Sequence, residues 1–353
     1  MAVDVRRSGP RDRTALPNCD QVVEGHPEPA AGGHYPAAVL VDVMVPAYGD
    51  GAHLRETVAS VLAQGDPSWR LTVVDDGVAV GRDPGLGPWL AGLGDERVRY
   101  LANPVRLGIN RNFQRCAELS TAELVVILGA DDRLLPDFVD RVRRLAEQYP
   151  AAAFLHTGAR IVDEAGHPTT PLVDRVKART SIRVRDSAEV GGERLATSLL
   201  HGNWMYFPSV VFRRAALVEH GFRPGYDIVL DLDLYLRILR GGGSAVLCER
   251  PGIEYRRHSA SLSSARADDG SRFIEERAFF TEAAAELAAH GWPRAARAAR
   301  WHLTSRLHVL CKLPGLLAAG NLGGARTMLR GALSTVPAGL PDGAGPGEGV
   351  HTR

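Results

Sequence analysis

Between Val39 and Val45 nearly every position is apolar or β-branched, and the run stops at Pro46. A short continuous run of this kind predicts a strand buried on both faces. Leu54, Val58, Val61 and Leu62 then recur at helical spacing, so the strand gives way to a helix. The alternation repeats. Leu71 to Val74 stops at Asp75-Asp76-Gly77, and Val98 to Leu101 precedes a helix with Ile109, Phe113, Cys116 and Ala117 on one face. Leu124 to Leu128 stops just short of Asp131-Asp132, and a helix is expected from Pro136 to Gln148. Strands separated by helices predict a parallel, right-handed α/β sheet covered on both faces.

Beyond Gln148 the periodicity loosens. A hairpin turning at Glu164-Ala165-Gly166, a polar stretch from Thr169 to Ser187, a short strand at Ser209 to Phe212 and a helix near Asp231 are expected, followed by helices at Phe273 to Ala289 and Pro293 to Leu310. Residues 1–36 carry five prolines with no period and read as a flexible leader, and the Gly- and Pro-rich stretch 336–353 reads as a disordered tail. The expected division is thus a leader, one domain over 37–263 split near 135 into two halves, a helical appendage over 264–335, and the tail. At roughly 150 residues per domain, a chain of 353 has room for this.

Composition narrows the class. Apolar residues make up 45% and charged residues 24%, an ordinary soluble balance. With 42 basic and 41 acidic residues the net charge is +1, which gives no overall field to draw nucleic acid. Only Lys177 and Lys312 are lysines, and neither lies in a Gly-Lys-Ser/Thr sequence, so a P-loop is excluded. Four cysteines without paired spacing fit a reducing compartment, and no early apolar run resembles a signal peptide, so a cytoplasmic location is expected. The apolar segment Leu307 to Ala319 is too short to span a bilayer and leaves room only for a peripheral membrane contact.

Ligands of parallel α/β sheets bind beyond the carboxyl ends of the strands. Tyr48, Asp75, Asp76, Asp131 and Asp132 all stand at such ends. Each Asp alone suits a helix cap or a turn. Several carboxylates at one edge repel one another, and a shared cation accounts better for the set.

These elements, in this order, resemble the family-two inverting glycosyltransferases of the GT-A (nucleotide-diphospho-sugar transferase) fold, over about residues 40–263. The resemblance rests on Val45-Pro46-Ala47-Tyr48, Val74-Asp75-Asp76-Gly77, the Gly- and Asn-containing run Arg106 to Asn112, Asp231-Leu232-Asp233-Leu234-Tyr235-Leu236-Arg237, and Tyr255-Arg256-Arg257-His258 with Ser261-Leu262-Ser263. It implies a mostly parallel central sheet flanked by helices. It also implies transfer of one sugar from a nucleotide-diphosphate donor, UDP favoured and dTDP or GDP admissible, to an acceptor hydroxyl on a glycan, a lipid-linked intermediate or a small natural product.

By the same resemblance, Pro46, Ala47, Tyr48 and Asp75 would meet the base, while Arg106 and Arg256 would meet the base or the diphosphate. Asp131 would hold Mg²⁺ or Mn²⁺ with Asp132 and His258 in support, and Asp231 would be the base that deprotonates the acceptor, with Asp233 the runner-up. Two departures stand out. The family's Asp-x-Asp reads Gly129-Ala130-Asp131, and the Glu that usually precedes the base is Leu230. They motivate a competing expectation, a sugar-nucleotide-binding scaffold without turnover. No Gln-x-x-Arg-Trp element of processive synthases is present.

Overall fold

The computed structural model describes residues 23–24, 39–48, 52–77, 83–257 and 271–301, together with positions 320, 323 and 326. The first strand pattern forms β2 (Val41–Ala47), after a two-residue β1 (Val23–Glu24). The second, third and fourth form β3 (Trp69–Asp75), β4 (Val98–Ala102) and β5 (Leu124–Ile127). Helices α1 (Ala52–Leu62), α2 (Leu86–Ala91) and α3 (Ile109–Leu119) connect them, and α4 (Phe138–Gln148) follows the two-residue β6 (Arg133–Leu134).

β4, β3, β2 and β5 lie side by side and all parallel. The sheet then turns mixed. β9 (Val210–Arg213) runs antiparallel to both β5 and β7 (Phe154–Val162), and β7 pairs parallel with the long β10 (Ser244–Arg256). β8 (Ser187–Gly191) and β1 complete the far edge, giving the order β1-β8-β10-β7-β9-β5-β2-β3-β4 with β6 paired to β10.

Alternate side chains of β2 and β5 feed two cores. Val41, Val43, Val45, Leu124 and Val126 meet α1, α2 and α4, while Met44, Val125 and Ile127 face α3 and the later helices. Those later helices are α5 (Leu172–Thr180), α6 (Gly192–His201), α7 (Arg214–His220), α8 (Leu230–Arg240), α9 (Ser271–Ala289) and α10 (Pro293–Trp301).

The turn expected at Glu164 to Gly166 is present, with Gly166 at φ 87° and its N–H donating to Asp163 O. The polar stretch expected from Thr169 to Ser187 instead contains α5. β10 continues through Glu249-Arg250-Pro251, residue types that ordinarily end a strand, because a bulge there shifts the register. Two glycines admit the bulge: a Cβ on Gly158 would lie 2.4 Å from Glu249 O, and one on Gly252 would lie 2.5 Å from Thr157 Oγ1. Leu307 to Ala319, Cys19, Cys311 and the tail lie outside the described residues.

Candidate active site at the strand ends

Because β2, β3 and β5 are parallel neighbours, Tyr48, Asp75 and Asp131 come to one edge of the sheet. Tyr48 is 43% exposed, and the Arg106 guanidinium lies over its ring at 4.6 Å from the centroid. Arg106 is carried there by a turn that Asp76 organises. Asp76 is buried, and its carboxylate accepts from Leu107 N (2.7 Å), Gly108 N (2.8 Å) and Asn103 Nδ2 (2.9 Å). Gly108, at φ 80°, then opens α3.

Asp75 is also buried. Its Oδ1 accepts from Gly77 N at 2.7 Å and its Oδ2 from the Tyr100 hydroxyl at 2.9 Å, and burial followed by that bond pushes the Tyr100 pKa up. Pro46 is half-buried, whereas Ala47 packs in the core and its carbonyl accepts the Asp76 N–H. Ala47 therefore serves the sheet, and the exposed feature of this strand end is the Tyr48 ring.

The Gly129-Ala130-Asp131-Asp132 corner has a specific geometry. Asp132 is buried, with Oδ1 accepting from Arg256 N at 2.8 Å. A Cβ built on Gly129 would lie 2.4 Å from Asp132 Oδ2 and 3.0 Å from Asp131 Oδ1. The space that the family's first Asp would need is thus the space on which two carboxylate oxygens converge. Burial, and then the charge of Asp131, raise the Asp132 pKa well above the ordinary carboxylate value.

Two converging carboxylate oxygens in a cradle without a side chain fit a hard divalent cation, which takes oxygen ligands and relieves that repulsion. Among the described residues no third His, Cys, Asp or Glu joins them. His258 lies outside the described residues.

Arg256 departs from the expected role. Its side chain is 2% exposed. Nε donates to Asp131 O (3.0 Å), Nη1 to Glu164 O (2.6 Å) and Nη2 to Glu56 (2.6 Å). This guanidinium is buried and bonded through all three nitrogens, so it braces the carboxylate corner and does not face the rim.

Asp231 stands in the first turn of α8. Its Oδ2 accepts from Asn203 Nδ2 at 2.7 Å and its Oδ1 from Leu232 N at 2.7 Å. Burial raises its pKa, opposed by the Asn203 and Leu232 hydrogen bonds and by the charge of Lys177. Asp233 points elsewhere, into ion pairs with Arg237 Nε (2.8 Å) and Arg223 Nη2 (3.1 Å). Leu230, in place of the family's Glu, is buried in the core.

Sequence reasoning missed the groups that join Asp231 to the carboxylate corner. Asp174 of α5 accepts from the Tyr206 hydroxyl (2.7 Å) and from Arg257 Nη2 (2.5 Å). The rings of Tyr206 and Tyr255 are 4.8 Å apart, and Lys177 Nζ is 5.4 Å from the Tyr206 centroid. Tyr255 in turn feels the charges of Asp132 and Asp131. The available signal was Pro171 opening a helix with Asp174 in its first turn and Lys177 and Arg179 in its last, the charge order a helix dipole favours.

Comparison with known proteins gives the following. The family model described as Glycosyl transferase family 2 matches residues 42–210. Uncharacterized protein MT1568 of Mycobacterium tuberculosis (strain CDC 1551 / Oshkosh) is 31% identical over 248 residues, 69% of this chain and 74% of that protein. The putative teichuronic acid biosynthesis glycosyltransferase TuaG of Bacillus subtilis (strain 168) is 23% identical over 227 residues, 64% of this chain and 82% of its own. The crystal structure of S. aureus TarS 1-349 in complex with UDP-GlcNAc superposes with a TM-score of 0.54 at 12% identity, over 82% of this chain and 90% of that one, a likeness of fold.

Proposed function

Starting from the premise that this chain belongs to glycosyl transferase family 2 and is a glycosyltransferase of the GT-A fold, we propose that it moves one sugar, with inversion, from a UDP-sugar to an acceptor hydroxyl. The observation that carries this reading is the pair of carboxylates converging on Gly129 at the same sheet edge as Asp75 and Tyr48. A pyrimidine base would stack near Tyr48 and Arg106, and its imide would donate to Asp75 in exchange for the Gly77 N–H or the Tyr100 hydroxyl. The UDP-GlcNAc bound to TarS supports the choice of nucleotide.

Asp131 and Asp132 would hold Mg²⁺ or Mn²⁺. Such an ion supplies charge stabilisation to a departing diphosphate without requiring a proton. Arg106, a guanidinium fork at the rim, suits the phosphate oxygens.

Inversion in one displacement needs a single base on the face opposite the leaving group. Asp231 fits because its carboxylate is held in place from both sides. It takes the acceptor's proton as the hydroxyl attacks, when that proton becomes acidic. Asn203 and Leu232 N orient the carboxylate, and Lys177 favours its ionised form. The assignment therefore rests on the resemblance of residues 231–237 to a family motif and on this geometry, since the family model itself matches residues 42–210. The cysteine pattern supports a cytoplasmic location. No helix among the described residues is long and apolar enough to cross a membrane.

The test is a panel of UDP-, dTDP- and GDP-sugars scored by protection against thermal unfolding, with Mn²⁺ and with chelator. A ligand at 100 times its dissociation constant adds roughly 2.7 kcal/mol. A UDP-sugar protecting only with metal supports the reading, and protection by none of the panel, or equally in chelator, contradicts it.

A further inference from the structure

Fourteen arginines are tied into ion pairs among the described residues, and of those that are not, two groups cluster on single helices. On α5, Leu172, Arg175 and Arg179 recur at i, i+3 and i+7 and so share one helical face. The loop that follows adds Arg183 and Arg185. All five are exposed, Leu172 at 64%. Among the described residues none of the four guanidinium groups has an ion pair or hydrogen bond. The other side of the same helix carries Asp174 and Lys177 toward Tyr206, Arg257 and Asp231. The exposed face is therefore the outer wall of the acceptor side.

The second group is on α10. Ala295, Ala296, Ala298 and Ala299 are buried, while Arg294, Arg297 and Arg300 face outward without side-chain partners among the described residues. Trp301 ends the helix 64% exposed, and no acidic residue occurs between 292 and 301.

α5 and α10 are both fastened to α6. Ser198 Oγ donates to Thr180 O at 2.6 Å, and Glu193 Oε1 accepts from Arg294 N and Ala295 N. Two unpaired basic patches thus flank one helix, and each carries a large exposed apolar side chain.

We propose that the α5 and α10 patches form one face and that this face docks on an anionic lipid bilayer, with the arginines on headgroup phosphates and Leu172 and Trp301 entering the interface. The chain's net charge of +1 gives no such attraction. It is local, and within a Debye length of about 8 Å unpaired arginines act on a surface as a group. A soluble polyanion would use the charges but would leave Leu172 and Trp301 in water, whereas basic side chains combined with Leu and Trp are the makeup of interfacial helices. Docked this way, the enzyme presents the Asp231 side to the membrane, and its acceptor is a hydroxyl carried on a lipid-linked molecule. The choice of acceptor rests on the function proposed above; the docking does not.

The experiment is flotation of the full chain with vesicles of phosphatidylcholine, with and without phosphatidylglycerol. Binding is expected only with phosphatidylglycerol and should weaken with salt. Each arginine near such a surface is worth about fivefold in affinity. The triple variant Arg294→Gln, Arg297→Gln, Arg300→Gln should lose about a hundredfold, and the pair Arg175→Gln, Arg179→Gln about twentyfold. Leu172→Ser and Trp301→Ser should each weaken binding at unchanged charge.

Absence of phosphatidylglycerol-dependent binding overturns the proposal, as does wild-type binding by the triple variant with a native melting temperature. So does equal capture by polyphosphate that Leu172→Ser and Trp301→Ser leave intact. No arm uses the sugar donor, so a failure here is distinct from a failure of the glycosyl-transfer reading.

Discussion

Gly129 shows how one missing side chain changes a site. Where the family carries the first Asp of its metal motif, this chain has no side chain, and Asp132 Oδ2 fills the room a Cβ would take. Restoring the motif by Gly129→Asp should therefore harm the site. The new Cβ would displace a buried carboxylate already bonded to Arg256 N, and Mn²⁺-dependent donor affinity, read by calorimetry, should fall at least tenfold. A gain in affinity would mean that the corner accepts a carboxylate at 129 and that Asp132 does not block it; an unchanged affinity would mean that the Asp131–Asp132 cradle is not the metal site.

The Asp231 carboxylate has a raised pKa, first through burial, with Asn203, Leu232 N and Lys177 acting against the rise. A base works only when ionised, so the acidic limb of kcat against pH should lie above the ordinary carboxylate range. Lys177→Gln removes a positive charge that favours ionisation and should move that limb to still higher pH, while Lys177→Arg keeps it in place. A limb that stays put in Lys177→Gln would detach Lys177 from the base.

At the level of elements, α8 is held at its start by α9. Glu275 Oε1 accepts the N–H groups of Asp227 (2.9 Å), Ile228 (2.5 Å) and Val229 (3.1 Å), just before the turn that carries Asp231. Tyr226 adds a hydroxyl bond to Glu282 at 2.6 Å. Glu275→Ala should lower stability by on the order of 2 kcal/mol, the range of hydrogen bonds to a charged group. It should also reduce kcat more than donor affinity, because the loosened turn carries the base and not the nucleotide. Equal losses in both would show only a general weakening of the fold.

Strands β2 to β5 and helices α1, α3 and α4 were legible in the sequence because each is bounded by a breaker or has one clear period, whereas the short β1, α2 and β6 carry no such pattern and were not expected. β10 was not legible either, since its Glu-Arg-Pro interruption is accommodated by Gly158 and Gly252 from two strands, a tertiary compensation that no window of sequence contains. α5 was hidden by its short apolar stripe, and with it Asp174 and Lys177. Asn203, in the loop after α6, carries no pattern at all. It becomes meaningful only when folding brings it to Asp231, 28 residues away in sequence.

Taken as a whole molecule, the helices after residue 263 are more than an added piece. Phe279, Phe280, Leu287 and the alanines of α10 share one core with α6, α8 and the sheet. The sheet edge, α8 and the C-terminal helices therefore belong to a single packed unit, as the proposed pairing of Asp131 and Asp132 with Asp231 in one reaction requires. The donor half was readable as strand ends, whereas the acceptor half depends on contacts among α5, α6 and α8.

The central claim is that Asp231 is the sole base in a metal-dependent transfer. Its most direct test is the rate of UDP-sugar cleavage by Asp231→Asn with Mn²⁺ present, water or acceptor supplying the hydroxyl, alongside the donor dissociation constant. The variant keeps the shape and most of the hydrogen bonding but cannot take a proton, so turnover should fall on the order of 10² to 10⁴ with donor affinity unchanged. Turnover equal to that of the unmodified enzyme at unchanged donor affinity would contradict the claim.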